Sequence, residues 1–153
     1  MSPQALRLEP AATGALVRIP LPRYEYFLLE YRTRSSSFYE RNLPAEGVLV
    51  WHVREIRSGP DAGRTVVDLE CADGRYLDAG YPVGTVIDPR NGGDNLDFWA
   101  HDQAYAATFA GNLGDATDPF DGVRAHAFTP DTNPDSYDSS RQLSIRLEDI
   151  RLE

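Results

Sequence analysis

Histidine is the side chain best suited to hold a metal ion or move a proton, and this 153-residue sequence has three, His52, His101 and His126. A zinc peptidase presents two histidines one helical turn apart with a glutamate between them, in the pattern H-E-x-x-H. No two of these histidines have that spacing, and His52 and Glu55 would fall on opposite faces of a strand. The sequence therefore predicts no zinc site.

Other catalytic groups are equally poorly marked. No G-x-S-x-G turn indicates a serine nucleophile, although a Ser-His-Asp arrangement assembled only by the fold stays open. Cys71 has no basic neighbour in sequence that would activate its thiol, so we expect it to be a small buried apolar residue. Glu70 and Asp73 could act as an acid and a base, but such pairs are common in an acidic chain. We leave the enzyme question uncertain and expect no activity from this chain alone; a self-contained hydrolase is the least favoured hypothesis.

Asp-rich loops are the strongest candidate for ligand binding. Calcium takes roughly six to eight oxygen ligands from flexible loops, and Asp and Asn cluster over residues 88–97, 114–121 and 131–136. None of these clusters follows the EF-hand spacing, and Asp and Asn also form Asx-turns and caps. The sequence nevertheless predicts calcium, with the middle cluster as first choice. The predicted ligands are Asp115, Asp118, Asp121, Asp94 and Asp97.

Alternating apolar and polar side chains predict the strands that must position these groups. In the clearest strand Phe27 and Leu29 fall on one face while Glu30 and Arg32 fall on the other. Trp51 marks the apolar face of the next strand. The predicted strands cover residues 15–19, 26–32, 48–55, 64–71 and 143–152.

Two local features affect the first and the last predicted strand. Pro20 lacks a backbone N–H and is expected to end the first strand. In the last strand the apolar residues change parity near Glu148 and Asp149. One extra residue at that point, a β-bulge, would return the apolar side chains to a single face.

The predicted fold is mainly β, an antiparallel β-sandwich of jelly-roll type. Residues 78–138 are rich in Asp, Gly, Asn and Pro and predict a long loop region. Within it, residues 84–87 could form a brief strand and residues 96–109 one short helix. We expect a single domain over residues 1–153, with residues 1–12 as an extended arm.

Composition narrows the partners. The formal net charge is −9 and all fifteen basic residues are Arg, which disfavours nucleic acid because phosphates favour a basic face. No apolar run approaches the roughly 20 residues needed to span a bilayer, so no membrane partner is expected. No signal peptide is visible at the start of the sequence.

Five segments, in order along the chain, carry a family resemblance. They are EYFLLEYR at 25–32, EGVLVWHVRE at 46–55, VDLECADG at 67–74, GDATDPF at 114–120 and NPDSY at 133–137. Together they resemble the later part of secreted zinc metallopeptidases of the immune inhibitor A type, and the likeness extends over residues 10–150. Tyr31, Arg54 and Cys71 stand where that family usually has Asn, Asp and Glu.

The resemblance implies a role outside the zinc site, because the family's H-E-x-x-H precedes the matched region. It implies the β-rich, non-catalytic portion of a bacterial, extracellular protein, whose partner would be an upstream zinc peptidase domain. The expected function is a structural or substrate-positioning module, and the resemblance favours calcium in the Asp-rich loops. The alternative is a free-standing module that binds carbohydrate or protein through Trp99, Tyr105 and Tyr137.

Overall fold

Antiparallel strands form the fold that the computed structural model describes over residues 4–74 and 116–152. The strands are β1 (Val17–Leu21), β2 (Glu25–Arg32), β3 (Gly47–Glu55) and β4 (Thr65–Leu69). Each strand pairs with the next, so the sheet has the order β1-β2-β3-β4. In the described ranges the only helical elements are two short 3-10 turns, Ala11–Thr13 and Phe38–Glu40. The predicted mainly β fold is confirmed.

Both faces of this sheet are covered. The register places Leu29 opposite Val50 on one face and Leu28 opposite Trp51 on the other, because neighbours along a strand point in opposite directions. The first face contributes to a core of Phe27, Leu29, Val48, Val50, Phe120 and Phe128. The second face packs into a smaller core of Leu43, Leu49, Leu69 and Cys71. The expected burial of Cys71 is confirmed.

The segment 116–152 lies against the first face. Val48 and Phe120 exchange both backbone hydrogen bonds, at 3.0 and 2.9 Å, so the segment is joined directly to β3. Gly47 makes this approach close: a Cβ there would lie 2.7 Å from the Cβ of Pro119. Any larger residue at position 47 would push the two segments apart.

The first predicted strand ends later than expected. β1 continues through Pro20 to Leu21, with Pro20 opposite Tyr26, so the predicted end at Pro20 is wrong. Pro20 is tolerated because β1 is an edge strand, with a neighbour on one side only within the sheet. At a sheet edge a proline can lack its N–H without breaking the ladder.

The last predicted strand is present only as isolated bridges, such as the one between Phe128 and Leu147. The predicted extra residue is found. Phe128 and Leu147 exchange both backbone hydrogen bonds, and the next bond runs from the Ile150 N–H to the His126 carbonyl at 3.0 Å. From the Phe128–Leu147 pair to this bond, the chain advances three residues, from Leu147 to Ile150, while its partner recedes only two, from Phe128 to His126. The additional residue is the predicted β-bulge. Asp149 takes the left-handed φ of 54° at this point, and Leu147 and Ile150 both pack against the first core.

The remaining fold predictions are only partly visible. The brief strand at 84–87 and the short helix within 96–109 lie outside the described residues. In the predicted arm, Leu8 packs against the first core and Pro10 bridges to Tyr31. Among the described residues, no helix has the length and apolar character needed to cross a membrane.

Candidate functional site

His52 lies between two carboxylates on the first face of the sheet. Its Nε2 is 3.2 Å from Glu25 Oε2, and its Nδ1 is 3.4 Å from Glu70 Oε1. The register explains the arrangement, since His52 is directly opposite Phe27 on β2 and Asp68 on β4. Glu25 and Glu70 are two residues from these partners and so point to the same face.

The same cluster reaches the C-terminal segment. Ser139 donates its backbone N–H to Glu25 Oε2 at 2.9 Å and its hydroxyl to Glu25 Oε1. Glu25 is only 4% exposed, and a buried carboxylate must be paired or hydrogen-bonded. We call Glu25, His52, Glu70 and Ser139 the His52 clamp. It joins β2, β3, the residue after β4 and the loop around Ser139.

The electrostatics of the His52 clamp favour a charged imidazolium. Burial alone would lower the pKa of His52, but the hydrogen bonds and negative charges of Glu70 and Glu25 outweigh it and raise that pKa above its usual value. The Phe27 ring lies against the imidazole, with ring centroids 4.7 Å apart. When it is protonated, His52 can donate from both ring nitrogens, to Glu25 and to Glu70.

This geometry is poorly suited to nucleophilic catalysis. A serine nucleophile needs a histidine base within hydrogen-bond reach. Here the Glu25 carboxylate bonds both Ser139 and His52 and so occupies the position between them. The arrangement can hold its four segments together, and it does so more strongly while His52 is protonated.

A second buried network lies on the opposite face. Arg32 donates to Glu30 Oε2 at 3.0 Å and to Glu40 Oε1. Trp51 Nε1 donates to Glu30 Oε1 at 3.0 Å, and Ser36 donates its hydroxyl to Glu40. We call these five residues the Arg32 clamp. It fixes the Phe38–Glu40 turn to the sheet.

Sequence reasoning missed both clamps as sites. It placed Glu30 and Arg32 on the polar face of their strand, whereas Glu30 is buried. The spacing of Glu30 and Arg32 could have indicated the Arg32 clamp, because residues two apart on a strand point to the same face and these two carry opposite charges. The alternation alone does not reveal that the loop containing Leu43 covers that face.

Asp121, a predicted calcium ligand, closes a turn of its own. Its Oδ1 accepts the backbone N–H groups of Val123, Arg124 and Ala125 at 2.9, 2.7 and 3.1 Å, and its Oδ2 accepts from Arg124 Nε at 2.8 Å. Burial opposes the charged form, but the hydrogen bonds from the Arg124 side chain and from these backbone N–H groups outweigh it and hold the pKa of Asp121 far below its usual range. Asp121 is thus an Asx-turn residue.

Asp118, also a predicted ligand, is completely buried. Its backbone carbonyl accepts the Ala72 N–H at 2.8 Å, and beside it Thr117 donates to Asp73 Oδ2 at 2.7 Å. The other three predicted ligands, Asp94, Asp97 and Asp115, lie outside the described residues. In the described ranges no three His, Cys, Asp or Glu side chains are arranged to hold a metal ion.

The other candidates from the sequence are the three aromatic residues, the Glu70 and Asp73 pair, and the histidines other than His52. Tyr137 is half-buried with the Arg141 guanidinium carbon 4.6 Å from its ring centroid, whereas Trp99 and Tyr105 lie outside the described residues. Glu70 and Asp73, considered as an acid and base pair, bond separately to His52 and Thr117. His126 is exposed, and His101 lies outside the described part of the chain.

Comparison with known proteins adds no relative. The chain matches no protein-family model, no curated protein and no solved structure. The fold and site therefore define a mainly β chain whose buried carboxylates at two clamps tie loops to a four-stranded sheet. The likeness to immune inhibitor A peptidases stays a prediction from the sequence.

Proposed function

We propose that this chain is a non-catalytic β-module that serves as a structural or substrate-positioning part of a secreted protein of metallopeptidase type. The observation that carries the proposal is where the five resembling segments lie. Residues 25–32 are β2, residues 46–55 contain β3, and residues 67–74 contain the end of β4. The described parts of the other two segments are built into the core.

Contacts between these segments support an architectural role. The Phe120 segment bonds to Val48 of β3, and Pro134 and Ser136 are completely buried. Asn133 donates from Nδ2 to the Gly74 carbonyl at 3.3 Å, although the two are 59 residues apart in sequence. The sequence features that carry the resemblance therefore pack against one another, which is expected of residues that specify a fold.

The sandwich is part of the proposal. Phe128 lies edge-on to both Phe27 of the sheet and Phe120, with ring centroids 5.1 and 5.7 Å apart. The bridges within the C-terminal segment, such as Tyr137 with Ser144, have the backbone pairing of a second β layer. We propose that this segment forms the facing layer of an antiparallel sandwich of jelly-roll type.

Calcium is proposed as a stabilising ion. Asp118 and Asp121 lie in the segment that bridges to β3, and carboxylate oxygens are the ligands that calcium prefers. A cation bound there together with Asp94, Asp97 or Asp115 would fasten the loop region to the sheet. The ion would then act on stability and have no chemical role.

Activity and melting measurements on the purified chain test this function. The chain is expected not to hydrolyse casein. Its melting temperature should rise by roughly 5–11 °C at calcium concentrations 100 times the Kd, since such a ligand stabilises by about 2.7 kcal/mol. Hydrolysis of casein that a chelator abolishes would contradict the module. An unchanged melting temperature would remove calcium from the proposal.

A pair of glycine variants tests the architectural role. A Cβ at Gly74 would lie 2.2 Å from Nδ2 of Asn133, whereas a Cβ at Gly59 meets nothing within 4 Å. Both glycines have left-handed φ, 67° and 83°, so the backbone strain is shared. Gly74→Ala should lower the free energy of unfolding by roughly 1–3 kcal/mol more than Gly59→Ala. Equal effects would show that the contact between these segments is not needed.

A further inference from the structure

The turn Phe38–Glu40 presents two adjacent aromatic rings to solvent. Phe38 is 68% exposed and Tyr39 is 90% exposed, whereas the next residue, Glu40, is 5% exposed. Large apolar side chains exposed side by side are typical of interaction sites. We call Phe38, Tyr39 and Arg41 the aromatic tip.

The aromatic tip is held in one conformation by buried bonds. Glu40 is fixed by Arg32 and Ser36, and Thr33 donates to Glu46 at 2.8 Å on the other side of the loop. The two rings stand at 88° with centroids 5.7 Å apart. A preorganised loop loses less entropy on binding.

Arg41 supplies the chemistry of recognition. Its guanidinium carbon lies 3.9 Å from the Phe38 ring centroid. A guanidinium stacked on a ring keeps its N–H donors in the plane and available, and their fork geometry matches a carboxylate. Among residues 4–74 and 116–152, no carboxylate forms a salt bridge with Arg41.

The chain fills the same arrangement twice by itself. Arg57 stacks on Tyr24 and pairs with Glu55. Arg141 stacks on Tyr137 and pairs with Asp135 at 2.8 Å. In these two cases the stacked arginine has a carboxylate partner, whereas Arg18, stacked on Tyr26 along β1, forms no salt bridge within the described residues. The arginine of the aromatic tip would receive its carboxylate from a partner protein.

We propose that the aromatic tip docks an acidic peptide segment of a partner protein, with Arg41 taking a carboxylate and the two rings packing against apolar side chains. In the same loop the guanidinium of Arg34 bonds only to the Leu43 and Pro44 carbonyls, so its positive charge is not neutralised by these contacts. The perpendicular rings form no flat platform for a sugar. This docking function holds whether or not the chain belongs to a metallopeptidase.

Fluorescence anisotropy with a labelled twelve-residue peptide of Glu, Leu and Gly in equal numbers tests the proposal at low salt. The unmodified chain should bind it saturably, more weakly as salt rises, and more tightly than a peptide with Lys in place of Glu. Arg41→Ala and Tyr39→Ser should each weaken binding roughly tenfold, as for an interface anchor. Both side chains project from the surface, so a melt should confirm that the variants fold.

Arg18→Ala is the matched control, because Arg18 also stacks on a ring, that of Tyr26 at 4.0 Å, but lies on β1. It should leave binding unchanged. Absence of binding to the Glu peptide, equal binding to the Lys peptide, or full binding by Arg41→Ala would each overturn the proposal. A loss with Arg18→Ala equal to that with Arg41→Ala would also overturn it, since the attraction would then depend on overall charge.

Discussion

The two clamps lie on opposite faces of one sheet and hold similar groups with different cations. On one face Arg32 joins the buried carboxylates of Glu30 and Glu40. On the other face His52 joins Glu25 and Glu70. Arginine stays charged at any pH at which proteins fold, whereas histidine loses its charge near neutrality. The Arg32 clamp therefore keeps its cation across the neutral range, whereas the cation of the His52 clamp depends on pH.

The direction of that dependence follows from the raised pKa of His52. A group whose pKa is higher in the folded state contributes its full stability below its unfolded pKa, which for histidine is about 6.5. The contribution is lost as the pH rises through the folded-state pKa. The loop around Ser139, which bonds to Glu25, should therefore be held less firmly in alkaline solution.

The largest effect is expected at the Arg32 clamp. Arg32→Met would leave the buried carboxylates of Glu30 and Glu40 without their cation, which should cost about 3–5 kcal/mol in the free energy of unfolding. Urea denaturation measures it. Arg64→Met is the control, because Arg64 pairs with Asp61 at the surface and should cost at most about 1 kcal/mol. Similar losses for the two variants would show that Arg32 is not a buried anchor.

The next largest effect is a loss of stability that depends on pH at the His52 clamp but not at the Arg32 clamp. Glu25→Gln keeps an oxygen that accepts from Ser139 but removes the charge facing His52. At pH 6 the loss should be about 1–3 kcal/mol, and it should shrink above the folded-state pKa of His52. Glu30→Gln should lower the free energy of unfolding by a similar amount at pH 6 and above the folded-state pKa of His52, since Arg32 stays charged. A pH-independent loss for Glu25→Gln would remove the distinction between the clamps.

The smallest effect is expected at the Asp121 turn. Because the pKa of Asp121 is lowered, its stability is present above the unfolded pKa of about 3.9 and is lost as the pH falls through the folded-state pKa. Asp121→Asn should cost about 1 kcal/mol at pH 7, and less in acid. Urea midpoints at pH 7 and pH 3 measure the difference. A loss that grows in acid would contradict the role given to its charge.

The positions of β2 and β3 were predictable because alternation is local. The Phe27 and Leu29 pattern specifies β2 whatever the rest of the chain does, and the parity change near Asp149 revealed the extra residue. The clamps were not predictable, because their partners are distant in sequence: Glu25 and Ser139 are 114 residues apart. Alternation shows which residues share a face, but not that Leu43 packs against Leu49, directly opposite the buried Glu30.

The pH dependence of the His52 clamp requires a His52 side chain whose pKa is raised in the folded state. A ¹H–¹⁵N NMR titration of the histidine rings, with the His52 signals assigned from their absence in His52→Gln, measures it. We expect His52 to titrate above its ordinary pKa of about 6.5, with both ring nitrogens protonated below that titration, and its pKa to move down in Glu25→Gln. A neutral ring at pH 7, titrating at or below the ordinary value, would contradict it.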